Sequence, residues 1–388
     1  MNVVLERSRR VLGRARRLVG QARRRVRARR ARSRHLSEVA RRIRLRSASG
    51  ERVRVGFFVL YDSAFPALPL ARLLQEDPLF EPVIVLIPDV LRGRDNMFEQ
   101  LNKSRESLRH LGIPVVSGID EDSGSFNDVS ETLDFVCISN PYDEITHEFF
   151  TMTYLLAKSV LPFYVSYTFG IVKFGRKTLS RDLFAGFWRV FAETPETARE
   201  YHKFSPAPRQ AVEISGYVKM DELASFDRAE QVRRSVIIAP HHTVRAWEGG
   251  LQVSSFLSYA DALLDLPRRY PEIDFIFRPH PLLFVHLKEA DLWGPVKSAE
   301  YLAAMDAHPN ARVDTTGRYL GTFAQSSALI HDSVSFAAEY LYTGNPALFL
   351  STPETHPAEQ FNELGALARS STTTPRASIN STPSWKTS

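Results

Sequence analysis

The sequence predicts an α/β fold of two doubly wound, Rossmann-like domains, preceded by a basic amphipathic N-terminal helix region. Strand-like apolar runs alternate with helical patterns, and this alternation restarts in the second half of the 388-residue chain. A chain of this length can bury two hydrophobic cores. Strands separated by helices form right-handed βαβ units and a mostly parallel sheet. We expect an N-terminal domain over residues 51–215 and a C-terminal domain over residues 216–368.

In the first half, continuous apolar runs predict strands that are buried on both faces of a sheet. The first run, Val-Arg-Val-Gly-Phe-Phe-Val-Leu, is typical of such a strand. The predicted strands cover residues 53–60, 82–87, 114–117, 133–139, 162–169, 190–193 and 211–215. Helical patterns between them predict helices over residues 67–75, 94–111, 149–158 and 195–203.

In the second half, the same alternation gives strands over residues 235–239, 273–278, 311–313, 327–330 and 347–350. Helices are predicted over residues 256–264 and 335–342, with an irregular segment after residue 278. From residue 369 the composition turns to Ser, Thr and Pro without periodicity. We therefore expect residues 369–388 to be disordered.

The charge is concentrated at the N-terminus. Residues 1–54 contain 20 Arg, no Lys and three acidic residues, which gives this stretch a charge of +17. Since the net charge of the chain is +6, the remaining residues carry −11. A basic surface for nucleic acid is therefore not expected in the body of the protein, and no nucleic-acid partner is predicted.

The arginine-rich segment has two sets of apolar residues at helical spacing. A narrow apolar stripe flanked by Arg is typical of a helix that lies on an anionic membrane. The alternatives are a solvated, partly disordered charge run, an Arg-rich transit peptide and a nucleic-acid-binding arm. We expect residues 1–50 to be a membrane-association segment, with residues 1–46 on the anionic surface and the protein peripheral at the cytoplasmic face of the cell membrane. The two sets are Leu5, Leu12, Val19 and Val26, and Leu36, Val39, Ala40 and Ile43.

The single cysteine, Cys137, lies inside an apolar strand-like run and is expected to be a buried hydrophobic residue in a reducing compartment. The sequence contains no run of 18 apolar residues, so no transmembrane helix is expected.

Three predicted strands end in polar turns that suit an anionic ligand. The first ends in Pro240-His241-His242, the second in Arg278-Pro279-His280, and the third in Asp332-Ser333-Val334-Ser335, with Glu339 one turn later. In an open α/β sheet, ligands bind outside the carboxyl ends of parallel strands. We therefore expect these three turns to form one site.

Each turn has a functional and a structural interpretation. Asp332, Ser333 and Ser335 either cap a helix or bind a phosphate at its N-terminus. Arg278 suits bidentate contact with phosphate oxygens, although the turn around it could be purely structural. His241 and His242 are candidate bases. Because neighbours on a regular element point in different directions, we expect only one of the two to reach the site.

No metal and no cofactor are expected. No His, Cys and Asp residues have the sequence spacing of a zinc site. The acidic run Asp120-Glu121-Asp122 has the spacing of a metal-binding D-x-D motif but lies in a Gly- and Ser-rich stretch typical of a solvated loop. Glycine-rich dinucleotide and P-loop motifs are absent from the sequence.

The ordered set of motifs resembles the CDP-glycerol:poly(glycerophosphate) glycerophosphotransferase family, the teichoic-acid-type polymerases and primases. The resemblance covers roughly residues 130–365 and adds the segment from Gly216 to Asp221, with Lys219 between them, to the three strand ends. It implies a GT-B architecture, with the acceptor at the N-terminal domain and the nucleotide at the C-terminal domain. The implied reaction is transfer of glycerol phosphate, or a related polyol phosphate, from CDP-glycerol with release of CMP. The implied acceptor is a lipid-linked polyol phosphate or glycan. By position, the implied substrate contacts are Gly216, Lys219, Asp221, Arg278, His280, Asp332, Ser333, Ser335 and Glu339.

The chain departs from the family at the position where a catalytic His is expected, because Phe169 stands there. We therefore assign the catalytic base to His241 or His242. The alternative function is a GT-B glycosyltransferase that uses a nucleotide sugar in capsule or lipopolysaccharide biosynthesis. A further alternative is a catalytically inactive, membrane-tethered CDP-binding relative.

Overall fold

The computed structural model describes residues 30–62, 65–173, 175–226, 233–245, 252–352, 355 and 361–370. Within these ranges the chain divides into two units. Unit 1 contains the described residues up to Val165, together with Leu179–Ala192 and Glu200–Ile214. Unit 2 contains Ser166–Thr178, Glu193–Arg199 and the described residues from Ser215 onward. The predicted domain ranges, 51–215 and 216–368, stay predictions, and residues 371–388 of the predicted tail lie outside the described residues.

Unit 1 is built on a seven-stranded parallel sheet. Its strands are β1 (Val53–Val59), β2 (Phe80–Leu86), β3 (Val115–Ser117), β4 (Phe135–Ile138), β5 (Leu161–Val165), β6 (Arg189–Ala192) and β7 (Val212–Ile214). They lie in the order β3-β2-β1-β4-β5-β6-β7. The helices of the first half of the chain are α1 (residues 30–48), α2 (Leu68–Glu76), α3 (Arg94–Leu108), α4 (Met152–Leu155), α5 (Gly175–Leu179) and α6 (Pro195–Phe204). Of these, α5 lies mostly in unit 2, and α6 is divided between the two units.

The central strand β1 is apolar along almost its whole length because both faces of the sheet are covered. Six of its seven residues are buried, as expected for a central parallel strand. A Cβ built at Gly56 in this strand would lie 2.4 Å from a side-chain carbon of Leu133, so a larger residue there would require Leu133 to move.

Unit 2 is built on a five-stranded parallel sheet. Its strands are β8 (Ser235–Ala239), β9 (Asp274–Phe277), β10 (Ala311–Val313), β11 (Ala328–His331) and β12 (Ala347–Phe349). They lie in the order β10-β9-β8-β11-β12. The helices are α7 (Lys219–Ala224), α8 (Phe256–Arg269), α9 (Leu283–Leu287), α10 (Gly294–Asp306), α11 (Leu320–Ala324), α12 (Val334–Glu339) and α13 (Glu363–Ser370).

The two faces of the unit 2 sheet carry separate apolar clusters. Ile237 on β8 and Ile276 on β9 belong to one cluster. Ile238 and Phe277, one residue further along each strand, belong to the other. Since successive strand residues point to opposite faces, the two clusters cover opposite sides of the sheet and leave its carboxyl edge for polar groups.

The predicted α/β fold class with two parallel-sheet units is confirmed. The predicted strand over residues 162–169 ends at Val165, and two further predicted elements differ from the structure in kind. The predicted helix over residues 149–158 is a short 3₁₀ turn followed by the four-residue α4. The segment predicted to be irregular after residue 278 contains α9 and the long helix α10. In α10 the buried positions are Ser298, Tyr301 and Met305, a stripe too narrow and too polar to stand out in the sequence.

The N-terminal helix α1 buries the second apolar set of the arginine-rich segment. Val39 is 1% exposed and Ile43 is 6% exposed. The helix is held on unit 1 by an ion pair between Arg46 and Asp134 at 2.9 Å and by a hydrogen bond from Arg42 to the Ser159 hydroxyl. Protein already covers the second apolar set, so this set is not a membrane-facing stripe. Membrane association of residues 1–46 stays a prediction. The first set, Leu5 to Val26, lies outside the described residues.

None of the helices in the described part of the chain combines the length and the hydropathy needed to cross a membrane.

Candidate functional site

The carboxyl ends of β8, β9 and β11 lie side by side because these strands are neighbours in the unit 2 sheet. The chain runs outward from β8 through β9 to β10 and then returns to β11 on the other side of β8. The strand order therefore reverses between β8 and β11, which is where doubly wound sheets bind ligands. The structure brings the three predicted turns to this one edge.

Asp332, directly after β11, anchors the chain that follows β8. Its carboxylate is 1% exposed. It accepts hydrogen bonds from the His241 N–H at 2.5 Å, the Ser254 hydroxyl at 2.8 Å and the Ser255 N–H at 2.6 Å. Burial raises the pKa of Asp332 to about 7, although these hydrogen bonds oppose the rise. The predicted substrate contact of Asp332 stays a prediction; the contacts seen are those of a residue that holds a loop.

The imidazole rings of His241, His242 and His280 form a cluster. The ring centroids of His241 and His242 lie 4.4 Å apart, and that of His280 lies 5.1 Å from the first and 4.2 Å from the second. The expectation that only one of the two adjacent histidines reaches the site is wrong, because they lie in a loop whose backbone does not separate their side chains as a strand would.

Both His242 and His280 are neutral at pH 7. Burial, and then the neighbouring His286, lower the pKa of His242 to about 4. Burial, and then His242 and His286, lower the pKa of His280 to about 3. A neutral imidazole carries one lone pair and one N–H, so it can accept a proton or donate a hydrogen bond. The predicted role of His241 or His242 as a base stays a prediction.

Arg278 lies at the predicted edge, but its guanidinium is already paired. It is 7% exposed and forms an ion pair with Asp314 at 2.5 Å. The same guanidinium also donates to the hydroxyl and the carbonyl of Thr316. The predicted bidentate contact with phosphate stays a prediction, and it would require Arg278 to leave these partners.

Glu339 and Lys219 come together in a buried polar cluster. Glu339 is 1% exposed and accepts hydrogen bonds from the hydroxyls of Tyr217, at 2.8 Å, and Tyr319, with the Lys219 ammonium 3.4 Å away. Lys219 also donates to the Tyr319 hydroxyl at 2.5 Å. Burial and the Glu339 charge raise the pKa of Tyr217 and of Tyr319 well above the usual value, so both hydroxyls keep their protons. Glu339 is thus enclosed by three side chains.

The remaining predicted contacts are more exposed. Gly216 is exposed and has a φ of +81°. This positive φ favours glycine by itself, so no ligand contact is needed to account for the residue type. Asp221 is exposed on α7. Ser333 and Ser335 are half-buried at the start of α12, and in the described structure the Ser333 hydroxyl does not cap that helix. The two serine hydroxyls therefore remain candidates for contact with a ligand.

Phe169, which stands where the resemblance places a catalytic histidine, belongs to the hydrophobic core. It is 8% exposed and packs edge-on against Tyr217, with ring centroids 5.1 Å apart. The side chain therefore has a structural role in unit 2.

Glu193 is a candidate acid or base that sequence reasoning missed. It directly follows β6, is 6% exposed, and its Oε2 is buried without a hydrogen-bond partner among the described residues. Burial raises the pKa of Glu193 to about 7, against hydrogen bonds that include those from Thr197 and Ser166. One acidic residue after a short strand is indistinguishable in sequence from an ordinary loop residue, so its burial is known only from the structure.

Unit 1 has a second polar edge at its own reversal of strand order, between β1 and β4. Asp89 is 2% exposed and is bonded by the Tyr61 hydroxyl and by the Arg92 guanidinium. Nearby, a small pocket is lined partly by Asn140 and Thr146, whose buried oxygens have no hydrogen-bond partner in the described structure. The sequence shows these polar groups only as isolated residues after apolar runs.

No protein-family model matches this sequence, and no curated protein sequence matches it either. Solved structures do. A protein described as a UDP-N-acetylglucosamine 2-epimerase from Listeria monocytogenes is 14% identical, with a TM-score of 0.51, over 78% of this chain and 80% of that one. MnaA of S. aureus in complex with UDP is 13% identical, with a TM-score of 0.50, over 82% of this chain and 87% of that one. Another UDP-N-acetylglucosamine 2-epimerase is 13% identical, with a TM-score of 0.51, over 78% of this chain and 80% of that one.

At this level of identity the likeness establishes the fold. The predicted GT-B architecture with two Rossmann-like units is confirmed. The resemblance to CDP-glycerol glycerophosphotransferases is wrong, because the structures this chain resembles are named as UDP-sugar epimerases. The predictions of CDP-glycerol as donor and of glycerol phosphate transfer to a lipid-linked polyol phosphate rest on that resemblance and are therefore also wrong. The motif fragments behind that resemblance are features that many strand ends of doubly wound sheets share.

Proposed function

We propose that this chain is an enzyme that binds a nucleotide sugar of the uridine type at the carboxyl edge of the unit 2 sheet. Its reaction is transfer of the sugar to an acceptor, as in GT-B glycosyltransferases. The observation that carries the proposal is the convergence of the turns after β8, β9 and β11 at the reversal of strand order. The nucleoside diphosphate part of such a ligand suits this edge because doubly wound sheets bind nucleotides at this position.

The polar groups at this edge are suited to a diphosphate and a sugar. The hydroxyls of Ser333 and Ser335 can donate to phosphate oxygens, and neutral His280 can add an imidazole N–H. Glu193, a unit 2 residue that directly follows β6, has a pKa raised by burial to about 7, so its carboxyl group can exchange a proton near neutral pH. The uridine preference is taken from the names of the similar solved structures.

A second candidate function is epimerisation at C2 of UDP-N-acetylglucosamine. It is favoured by the names of the similar structures at TM-scores of 0.50 and above. The two candidates differ in their requirement for an acceptor, because epimerisation changes the sugar without one.

Binding is tested by titrating the full chain with UDP and with CDP and following the midpoint of thermal unfolding. A ligand that binds the folded state raises this midpoint by mass action. We expect UDP to raise it more than CDP, and a Ser333→Ala, Ser335→Ala double variant to bind UDP about tenfold more weakly, since losing about 1.4 kcal/mol of contact is tenfold. The matched control is Ser258→Ala, an exposed serine on α8. Equal effects of UDP and CDP, or equal effects of both serine variants, would contradict the proposal.

Turnover is followed by proton NMR with UDP-N-acetylglucosamine and with UDP-glucose, each with and without a membrane extract as acceptor source. Release of UDP only when acceptor is present supports transfer. Appearance of an inverted C2 signal without acceptor supports the second candidate. Absence of any product in all four mixtures, from protein that binds UDP, would contradict both reactions.

We also propose that the protein associates peripherally with the cytoplasmic face of the membrane and that residues 1–29 make the contact. This stretch contains 11 Arg and one acidic residue. Each basic residue near an anionic surface contributes about 1 kcal/mol. The test is sedimentation with vesicles that contain phosphatidylserine, against vesicles of phosphatidylcholine alone. Equal sedimentation of the full chain and of a chain lacking residues 1–29 would contradict the proposal.

A further inference from the structure

The three histidines at the carboxyl ends of β8 and β9 are brought together by strand pairing. β8 and β9 are parallel neighbours, with Ile238 opposite Phe277. The pairing continues beyond the strands, since the His280 N–H donates to the Pro240 carbonyl at 3.0 Å. His241 and His242, which follow Pro240, are therefore placed against His280, although His242 and His280 are 38 positions apart in the sequence.

The nitrogen atoms of the three rings have the spacing of a metal site that can close by small rotations. One nitrogen from each of the three rings can be chosen so that all lie within 4.8 Å of one another. Two imidazole nitrogens on one tetrahedral Zn²⁺ lie about 3.4 Å apart, given Zn–N bonds of about 2.0–2.1 Å. Rotation of the imidazoles about their side-chain bonds can shorten the nitrogen–nitrogen distances from up to 4.8 Å to about 3.4 Å, because the three rings are already neighbours.

Hydrogen bonds at the cluster show which ring nitrogens already have partners within the protein. The Nδ1 of His242 is buried and has no hydrogen-bond partner among the described residues, so a buried polar atom is left for a ligand to satisfy. The Nδ1 of His241 lies 2.9 Å from the Thr243 hydroxyl. This hydroxyl can orient the ring in the way that outer partners of metal-bound histidines do. Metal binding through Nε2 requires the proton on Nδ1, which replaces the long 3.4 Å hydrogen bond that Nδ1 accepts from the Thr243 N–H.

His280 requires one rearrangement. Its Nδ1 accepts a hydrogen bond from the Leu282 N–H at 3.1 Å. Binding through either nitrogen of this ring breaks that bond, since Nδ1 must become either the ligand atom or the protonated atom. The free energy lost with one such hydrogen bond is small compared with the free energy gained when three imidazoles bind a metal ion.

We propose that His241, His242 and His280 bind one divalent transition-metal ion, with Zn²⁺ as the preferred ion and at least one coordination position left for water or a ligand oxygen. Imidazole ligands select Zn²⁺, Co²⁺, Ni²⁺ and Cu²⁺ over Mg²⁺ and Ca²⁺, which prefer oxygen. Three histidines with an open fourth position form the ligand set of catalytic rather than structural zinc sites. The site lies at the edge where we place the nucleotide, so the open position is available to an anionic oxygen.

The test uses the full chain, freed of metal by chelation, and Co²⁺ as a spectroscopic probe of the same site. We expect one equivalent of Co²⁺ to give the intense visible bands of a four-coordinate, nitrogen-bound ion, and one equivalent of Zn²⁺ to remove them. His242→Gln and His280→Gln should each weaken Zn²⁺ binding about 100-fold or more, because losing even a hydrogen-bond partner of a metal ligand costs about 10- to 100-fold. The matched control, His308→Gln, lies in unit 2 outside the cluster and should bind Zn²⁺ as the wild type does.

The proposal is overturned if Co²⁺ gives only the weak bands of a six-coordinate ion. It is also overturned if His308→Gln loses as much affinity as the two cluster variants. The Co²⁺ spectrum of the wild type decides the matter by itself if a cluster variant fails to fold. Failure of UDP binding would leave this result unaffected, so the metal site and the proposed function are tested separately.

Discussion

The backbone N–H of His241 donates a 2.5 Å hydrogen bond to Oδ1 of Asp332 and thereby joins the ends of β8 and β11. This bond spans the point where the strand order of the unit 2 sheet reverses. Oδ2 of the same carboxylate accepts from Ser254 and Ser255, just before α8. Asp332 therefore fixes the position of the loop that carries the histidine cluster.

Replacing Asp332 with alanine should destabilise unit 2 strongly. Three donors would be left buried without an acceptor, and we expect the free energy of unfolding to fall by about 3 kcal/mol. The measurement is urea unfolding at neutral pH, followed by circular dichroism. The control is Asp261→Ala, an exposed position on α8, which should change the stability by less than about 0.5 kcal/mol. Equal losses in the two variants would contradict the anchoring role.

Replacing Glu193 with glutamine should change how stability depends on pH. The pKa of Glu193 is about 7 in the folded state and about 4.3 in an unfolded chain. The folded state therefore binds more protons between these values, and the wild type loses stability as pH rises through this window. Relative to the wild type, Glu193→Gln should gain about 3 kcal/mol at pH 8 and nothing at pH 4.

The Glu193 prediction is checked by urea unfolding of both proteins at several pH values. Subtracting the two curves removes the titration of every other group, including the buried histidines, whose lowered pKa values act in the opposite direction. Glu131→Gln, at an exposed position, serves as the control and should show a difference that is small at every pH. A difference for Glu193→Gln that does not grow with pH would contradict burial of its charged form.

Gly365 on α13 should not tolerate a side chain. A Cβ built there would lie 2.1 Å from the Ile171 carbonyl oxygen and 2.7 Å from a ring carbon of Phe361. Since the nearest atom belongs to the backbone, Gly365→Ala must shift the helix and should cost about 2–3 kcal/mol in thermal or urea unfolding. Gly170→Ala is the matched control, because a Cβ at Gly170 meets nothing within 4 Å. Similar stabilities of the two variants would show that α13 does not pack on this segment.

The buried face of α1 should contribute to the stability of unit 1. Ile43 is 6% exposed, whereas Leu45 on the same helix is 57% exposed. We expect Ile43→Ala to cost about 2–4 kcal/mol, as for other buried aliphatic truncations, and Leu45→Ala to cost much less. Urea unfolding measures both. If the two variants unfold alike, this part of the arginine-rich segment is available for a membrane after all.

The fold class was predictable because burial on both faces of a parallel sheet requires apolar runs that can be read directly from the chain. The limits of β8, residues 235–239, and of β10, residues 311–313, were predicted correctly. Helix α10 was not, because its buried stripe is narrow and includes Ser298. The fragments that pointed to a CDP-glycerol enzyme misled because strand ends in this fold class share residue types without sharing a substrate.

What the sequence by itself determined is the alternation of strands and helices and the three polar turns that follow β8, β9 and β11. Local patterns suffice for that, since backbone periodicity and chain-reversing residues act over a few positions. Only the tertiary structure decided which of those polar groups meet. Parallel strand pairing places His280 beside His241 and His242. The buried side chains of Asp332, Arg278 and Glu339 form hydrogen bonds or ion pairs with other residues of the protein. Contacts between distant residues depend on strand order and packing, and neither is encoded in the spacing of residues along the chain.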